Sequence, residues 1–572
     1  MSGLACLLLA ALATGDPKAE ARPRRPVALT ISADGSRLFV ANRRSGSVSV
    51  VDPSKGRVAS ESEVGRGLAD LAMLPSGRLL AVDRDADALL VLAVVGESVE
   101  VEARLPVAAD PASVLARPDG SGCVVASSAS RRLSVVDLPV DAGGRVAPRL
   151  ARSIPLPFAP GLLAWAVPGS KLVAAEAAGG RIAVVDSALD RPDSVRPIPA
   201  HNIRGLAVGP DGRSLVVAHQ AASPLARSSF EDVHWGSLIG NHLRSLALPA
   251  LLNPGADLLD GSRLVDLGRP GRAAGDPGPL AFGPGGRLAV ALGGVGEVAL
   301  LDAFDAAEPR RVAVGRGPSA VLMTPDGARA FVADALDDAV AVAEVASGST
   351  RVIPLGPPRD LGPVERGERL FADAGLSLDG WMSCRSCHAE GPGAALVLDT
   401  LADGGFGAPK RASPLLGVGA TGPWTWLGTV DRLEDQVRKS VETTMRGRPP
   451  TPEQVDDLTA YLRSLPPPRP LAVDDPGAVA RGRAAFLARK CAACHEPPSY
   501  TKAGMFDVGL VDEVGNRRFN PPSLRGVGAR SPYLHDGRAA TLADVFRVHR
   551  HPKDSDWSRE EADDLAAFLG SL

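Results

Sequence analysis

Between about residues 26 and 356 the chain repeats one pattern of hydrophobic and polar positions. A turn that contains glycine is followed by a short apolar strand, and a second apolar phrase such as "RLSVVD" often comes next. The copies begin at Ile31, Met73, Ala116, Ala166, Val208, Phe282 and Thr324. Alternating apolar residues between Asp-Gly turns predict β-hairpins. The spacing of the copies suits a four-stranded propeller blade. The seven copies therefore predict an all-β, seven-bladed propeller.

One spacing in the repeat is longer than the rest. Gly212 and Gly286 are separated by far more chain than any other pair of successive turn glycines. The excess predicts an insertion in the fifth blade at about residues 219–261. It carries His219, Asp232, His234, Trp235 and His242. Long insertions on a rigid scaffold are frequently functional. These side chains could form a metal or substrate site, and a solvated or interface loop is the alternative.

Beyond residue 362 the hydrophobic pattern becomes helical. "VERGERLF" and "VARGRAAF" have the pattern of an opening helix, and "EQVDDLTAYLRSL" and "EEADDLAAFLGSL" that of a closing helix. The two closing segments begin at Glu453 and Glu560 and match almost position by position. We therefore predict two copies of one all-α domain, at residues 362–468 and 475–572.

Composition and charge exclude some classes of partner. The formal net charge is -3 over 572 residues, and no basic patch or tail is present. Nucleic acid is therefore not expected as a partner. Residues 1–20 include a short apolar run with an A-x-A cleavage candidate at Ala11–Ala13, although they lack a basic start. We interpret them as an export signal. The run is too short to cross a bilayer, so no transmembrane span is expected in the mature protein.

The strongest chemical signal is a C-x-x-C-H motif in each helical copy. The first contains Cys384, Cys387 and His388. The second contains Cys491, Cys494 and His495, at the same offset along the chain as the two closing helices. Two thiols at this spacing can form thioethers with the vinyl groups of haem, and the next histidine can then bind the iron. The motifs predict two covalently bound haem c groups in two cytochrome c domains, and hence a periplasmic location.

Other interpretations of these cysteines fit less well. A structural zinc site normally needs four Cys or His ligands, and the helical half has no further cysteine. A thioredoxin-like redox pair would need a βαβ setting, which is absent from the pattern. Cys123 lies alone in an apolar strand, where a small buried side chain is expected.

Few residues could supply a second axial ligand to either iron. In the first copy Met445 is the sole conventional candidate, and the chain between His388 and Met445 is long enough to wrap once around a haem. In the second copy the candidates are His535, His549, His551 and Met505. The internal offset places the counterpart of Met445 beside His551, without choosing between His551 and His549.

Both halves also resemble known families. The propeller phrases resemble the YVTN-type repeats. The segment "FNPPSLRGVGARSPYLHDGRAATLADVF" resembles the signature of the second domain of the bacterial di-haem cytochrome c peroxidase superfamily. In that family a methionine after the "ATL" helix ligates the electron-transfer haem. Counting from Ala540 carries its position to His549, which ranks first for haem two, with His551 second. The segment "GMFDVG" resembles another family segment and favours a structural role for Met505.

The resemblance also implies two residues that participate in electron transfer or catalysis. Trp426 lies where the second copy has His535, and family peroxidases carry a tryptophan between the haems in a similar W-x-G setting. Trp426 and His535 are therefore candidate catalytic residues, with Trp424 as an alternative bridge or packing residue. The first domain lacks the histidine that leaves the peroxidatic iron in the family. Peroxidase activity thus stays open.

Three functions follow as hypotheses. The first is a periplasmic di-haem oxidoreductase of the peroxidase type, with the propeller as a binding module. The second is pure electron transfer from a propeller-bound substrate or partner to an acceptor. The third is a haem-bearing binding or sensor protein. A redox partner protein or a small-molecule substrate is the expected partner in each case.

Overall fold

The N-terminal half of the chain folds as a ring of β-sheets. The computed structural model describes residues 22–188, 190–304, 308–389, 396–471, 475–553 and 555–572. The predicted export signal lies outside these residues. Within these ranges, 28 strands form seven antiparallel four-stranded sheets, which confirms the predicted seven-bladed propeller.

The strands follow the chain blade by blade. The first three blades contain β1 (Pro26–Ile31), β2 (Leu38–Asn42), β3 (Ser47–Asp52) and β4 (Arg57–Glu63); β5 (Leu68–Met73), β6 (Leu79–Asp83), β7 (Ala88–Val95) and β8 (Ser98–Pro106); and β9 (Pro111–Ala116), β10 (Gly122–Ser127), β11 (Arg132–Asp137) and β12 (Arg149–Pro155). The fourth and fifth contain β13 (Pro160–Val167), β14 (Lys171–Glu176), β15 (Arg181–Asp186) and β16 (Ser194–Pro197); and β17 (His201–Val208), β18 (Ser214–Ala222), β19 (Ile239–Ala247) and β20 (Arg263–Asp266). The last two contain β21 (Pro277–Phe282), β22 (Leu288–Leu292), β23 (Glu297–Leu301) and β24 (Arg310–Ala313); and β25 (Pro318–Met323), β26 (Arg329–Asp334), β27 (Ala339–Glu344) and β28 (Thr350–Pro354).

The repeated phrase forms the first hairpin of each blade. Gly35 and Gly212 have φ of +71° and +63° in the turns between the first two strands of their blades. A residue without a Cβ adopts this left-handed conformation at little cost, which explains the recurring glycine. The core lies between facing blades: Phe39 of β2 and Leu90 of β7 are buried in one cluster. Strand β1 packs against β25, so the last blade meets the first and the ring closes.

The C-terminal half is helical apart from two short hairpins. Its helices, numbered after α1 (Phe230–His234) and α2 (Leu248–Leu252) of the fifth blade, are α3 (Pro363–Phe371), α4 (Cys384–Cys387), α5 (Leu433–Lys439), α6 (Pro452–Ser464), α7 (Pro476–Ala488), α8 (Leu542–Arg547) and α9 (Arg559–Gly570). The hairpins pair β29 (Val397–Leu398) with β30 (Lys410–Arg411) and β31 (Phe506–Asp507) with β32 (Arg518–Phe519). The predicted all-α class of both cytochrome domains is thereby confirmed.

In both helical domains the opening and closing helices pack closely against each other at a glycine. Helix α3 crosses α6 at Gly367, where an added Cβ would lie 2.0 Å from the Asp457 carbonyl oxygen. Helix α7 crosses α9 at Gly482, where an added Cβ would also lie 2.0 Å from the carbonyl oxygen of Asp564. In both copies the arginine before the glycine forms a bidentate ion pair with that aspartate, Arg366 with Asp457 and Arg481 with Asp564. The duplicated "RG" and "DD" of the sequence therefore form duplicated helix crossings.

Both helical domains contact the propeller. In the first, the Ala374 N–H donates to the Gly294 carbonyl (2.8 Å), and the carbonyl of Gly380 accepts from the Gly275 N–H (3.0 Å). In the second, the Gly528 carbonyl accepts from the Arg131 side chain of the third blade (3.3 Å). Both helical domains therefore pack against the propeller.

Candidate haem sites between the helical domains

A cavity lined by residues of both helical domains contains both C-x-x-C-H motifs. Cys384, Cys387 and His388 line it from the first domain, and Cys491, Cys494 and His495 from the second. The first cysteine pair lies on α4, whose N-terminus is capped by the Ser383 hydroxyl. In each motif the backbone N–H of the histidine donates to the carbonyl of the first cysteine, over 2.9 Å. The two motifs therefore form the same tight turn.

Each motif histidine is oriented by a backbone carbonyl. His388 Nδ1 lies 2.9 Å from the Ser413 carbonyl oxygen, and His495 Nδ1 lies 3.2 Å from that of Tyr500. A carbonyl can only accept, so Nδ1 carries the proton and Nε2 keeps a free lone pair. This is the usual arrangement of a metal-binding histidine. Burial lowers the pKa of both imidazoles, which favours the neutral form that binds iron.

The structure brings one further candidate ligand to each motif. Met445 is 4% exposed, lines the cavity and belongs to the same apolar cluster as Cys384 and Cys387. It follows a π-helical turn at Ser440–Thr444, a distortion that is frequent at functional sites. In the second domain His551 lines the cavity, and its ring centroid lies 6.5 Å from that of His495. Burial, and then the charge of His495, lowers the pKa of His551 to about 4.

This geometry favours His551 over the first-ranked His549 as the candidate ligand of haem two. Both histidines are partly exposed, but only His551 lines the cavity. Helix α8 ends at Arg547, Arg550 has a φ of +50°, and the His551 N–H donates back to the Val545 carbonyl (3.1 Å). This turn directs His551 inward.

Met505 is also outside the cavity lining. Its Sδ lies against Gly428 of the first domain, 2.9 Å from where a Cβ would be. It therefore packs at the boundary between the helical domains.

Trp426 and His535 occupy equivalent positions and meet each other. The turn that holds Trp426 is closed by pairing of Trp424 with Val430, and the turn that holds His535 by pairing of Tyr533 with Ala539. Both rings line the cavity, with centroids 6.4 Å apart in an edge-to-face contact. Trp426 Nε1 donates to the Arg411 carbonyl (2.8 Å).

His535 lies deeper than Trp426. It is 1% exposed, stacks on Phe519 at 4.4 Å, and neither ring nitrogen has a hydrogen-bond partner among the described residues. Burial lowers its pKa. Trp424 also lines the cavity and donates to the Val418 carbonyl (3.3 Å).

Two buried arginines that the sequence reasoning missed line the same cavity. Arg411 and Arg530 are 5% and 4% exposed, and neither has a carboxylate within ion-pair distance in the described part of the chain. Burial lowers the pKa of Arg411 to about 10, and burial together with the Arg411 charge lowers that of Arg530 to about 9. The Nε of each has no partner there either. Buried cations normally have a counterion, and the propionates of haem are carboxylates.

The insertion in the fifth blade contacts the first helical domain. Among the residues that the structure describes, no group of three His, Cys, Asp or Glu side chains could hold a metal ion. His234 Nδ1 lies 2.7 Å from Asp379 Oδ2, and the His234 carbonyl accepts from Trp381 Nε1 at 3.0 Å. His219 is fully buried beside His242. The insertion therefore holds the first cytochrome domain.

Two family models match the helical part of the chain. Residues 363–466 match the family model of di-haem cytochrome c peroxidase, and residues 479–572 match that of cytochrome c. Methylamine utilization protein MauG of Methylorubrum extorquens is 26% identical, over 45% of this chain and 91% of the relative. Cytochrome c551 peroxidase of Nitrosomonas europaea is 25% identical, over 38% and 81%. A solved structure of Kuenenia stuttgartiensis hydrazine synthase aligns with 58% of this chain and 98% of that one, at 23% identity and a TM-score of 0.49.

Fold, cavity and family matches together define a multidomain c-type cytochrome, built from a seven-bladed propeller and two helical haem domains. Its C-terminal half comprises a di-haem cytochrome c peroxidase domain followed by a cytochrome c domain, and the chain binds two haem c groups covalently. The described helices include none that is long and apolar enough to cross a membrane.

Proposed function

We propose that the protein is a periplasmic electron-transfer oxidoreductase of the di-haem peroxidase type, with both irons bound by two side chains. Cys384 and Cys387 would attach haem one, and His388 and Met445 would bind its iron. Cys491 and Cys494 would attach haem two, and His495 and His551 would bind its iron. When bound, the haems supply reversible one-electron chemistry.

The observation that carries this proposal is the spacing of His495 and His551. Two imidazoles on opposite sides of one metal ion, each with a metal–nitrogen distance of about 2 Å, have ring centroids about 6 Å apart. The observed separation is 6.5 Å. Both rings are half-buried, and their partial burial lowers the pKa of each and so favours the neutral form. The pair therefore matches a site for a six-coordinate iron.

The remaining cavity residues support the same function. Arg411 and Arg530 would neutralise haem propionates, since both are buried in the cavity without another carboxylate partner among the described side chains. Trp426 and His535 are the candidate bridge between the domains, because their rings meet where the domains meet. The partner that exchanges electrons would be a redox protein or a small molecule.

Peroxidase activity is the second candidate, favoured by the family match of residues 363–466. It requires an iron with a free coordination position. Met445 and His551 would close both positions, so peroxide could react only if one of these side chains moved away. The geometry thus favours electron transfer over peroxide chemistry.

Spectra of the purified holoprotein test the proposal. A pyridine haemochrome assay should give two haems per chain. The oxidised protein should show two low-spin haems by electron paramagnetic resonance, and hydrogen peroxide should leave the Soret band of the oxidised and half-reduced forms unchanged. A high-spin haem that reacts with peroxide would establish the peroxidase alternative instead.

The periplasmic location follows from the covalent attachment, which takes place outside the cytoplasm. Cell fractionation should find the haem-loaded protein in the periplasmic fraction. A cytoplasmic holoprotein would contradict this assignment.

A further inference from the structure

The haem-attachment segment of the first helical domain is bound by the propeller of its own chain, at the fifth blade. From the fifth blade, His201 Nε2 and Asn202 Nδ2 both donate to the Ser386 carbonyl (2.8 Å each), and Gln220 Nε2 donates to the Ser386 hydroxyl (3.1 Å). Asn241 Nδ2 donates to the Trp381 carbonyl (3.0 Å). The propeller was expected to be a binding module for a separate molecule. On this face it instead binds residues between and beside the haem cysteines.

Two charged propeller residues stand out within this contact. Asp276, 2% exposed, precedes β21 and accepts hydrogen bonds from the hydroxyls of Ser383 and Ser386, the latter at 2.7 Å. Arg204 of β17 has Nη1 4.0 Å from Asp276 Oδ1 and donates through Nη2 to the Arg385 carbonyl (3.1 Å). Both oxygens of the Asp276 side chain accept hydroxyl protons, as an ionised carboxylate does.

The other propeller side chains that bind this segment are neutral. Asn202, Gln220 and Asn241 carry no charge, and burial lowers the pKa of His201 to about 4. Within the haem domain, Arg385 lies between the two cysteines.

We infer that the propeller sets the reduction potential of haem one through Asp276 and Arg204, which act as positioning residues of opposite charge. A buried negative charge stabilises the ferric state, which carries one more positive charge than the ferrous state, and so lowers the potential. Arg204 offsets part of this effect. Charge and hydrogen bonding around a haem are established determinants of its potential, and here they come from a different domain.

This inference goes beyond the proposed function, although it rests on the attachment of haem one at Cys384 and Cys387. It gives the fused propeller a role that needs no external ligand. Removal of the Asp276 charge and removal of the Arg204 charge should shift the reduction potential of haem one in opposite directions. A simple loosening of the contact should shift this potential in the same direction in both variants.

The test is a spectroelectrochemical titration of the full-length holoprotein and two variants. Asp276→Asn keeps the size of the side chain and should shift the midpoint potential of haem one to a more positive value. Arg204→Gln should shift it to a more negative value. Haem two should keep its potential in both. Asp266→Asn is the matched control, because this carboxylate of the fifth blade is 73% exposed; it should leave both potentials unchanged.

Each outcome decides the inference. Unchanged potentials of haem one, or shifts of both variants in the same direction, would overturn it. If Asp276→Asn fails to fold, Arg204→Gln is the deciding variant, because the Arg204 side chain is partly exposed. The absence of a negative shift in the midpoint potential of haem one in this variant would then overturn the inference. A failure of the attachment itself would appear separately, as fewer than two haems per chain in the pyridine haemochrome assay.

Discussion

His549 and His551 are close neighbours in the sequence, yet only His551 faces the cavity. The difference arises from the end of α8 and the left-handed Arg550, which turn the chain between the two histidines. His551 Nδ1 is buried without a hydrogen-bond partner in the described structure, which is costly for an imidazole in an unliganded core.

The two histidines form a matched pair of variants. His551→Ala should convert haem two from low-spin to high-spin, because it removes the proposed second ligand. His549→Ala should leave the spin state unchanged, since this side chain lies outside the cavity lining. Electron paramagnetic resonance and the optical charge-transfer region report the change. If His549→Ala gives a high-spin haem two and His551→Ala does not, His549 is the ligand.

At the scale of helices, the contact between opening and closing helices depends on a glycine. Gly482→Ala would place a Cβ 2.0 Å from the Asp564 carbonyl oxygen, which is fixed in the backbone of α9. We expect the variant to lose about 1–3 kcal/mol of stability through overpacking. The midpoint of thermal unfolding of the holoprotein measures the loss.

Gly570→Ala supplies the control for this prediction. Gly570 lies at the end of α9 with nothing within 4 Å of an added Cβ, so alanine should be neutral or slightly stabilising there. Equal midpoints for Gly482→Ala and Gly570→Ala would show that the helix crossing tolerates a side chain.

Sequence patterns could predict elements and attachment residues because these depend on local rules. The glycine turns indicated the blade hairpins, and C-x-x-C-H indicated the haem turn. Arg411 and Arg530 were missed because a buried, unpaired guanidinium has no sequence signal; an arginine in a polar segment normally lies at the surface. The contacts of Asp276 with Ser383 and Ser386 join distant parts of the chain, and only the fold brings them together.

At the scale of the whole molecule, the propeller and the first haem domain are joined by a cluster of charges. Arg25, just before β1, donates to Glu368 of α3 through Nε (3.1 Å) and Nη2 (2.6 Å). Asp338 of the last blade accepts from the backbone of Arg25 (2.8 Å) and from Arg359 of the linker (3.4 Å). The cluster thus connects the first blade, the last blade, the linker and α3.

Glu368→Gln tests how firmly this cluster couples the two halves. The side chain of Arg25 is 4% exposed, so loss of the Glu368 charge leaves a buried guanidinium with the more distant Asp338 carboxylate, at 3.7 Å. Removing one partner of a buried pair costs about 3–5 kcal/mol, and Asp338 should reduce this to about 2–4 kcal/mol. We expect a lower unfolding midpoint by calorimetry and faster tryptic cleavage at Arg359. Glu453→Gln on α6 is the control, since its side chain is 78% exposed and should change neither quantity. If Glu368→Gln matches this control, the halves are held by their backbone contacts and the insertion, and the charge cluster contributes little.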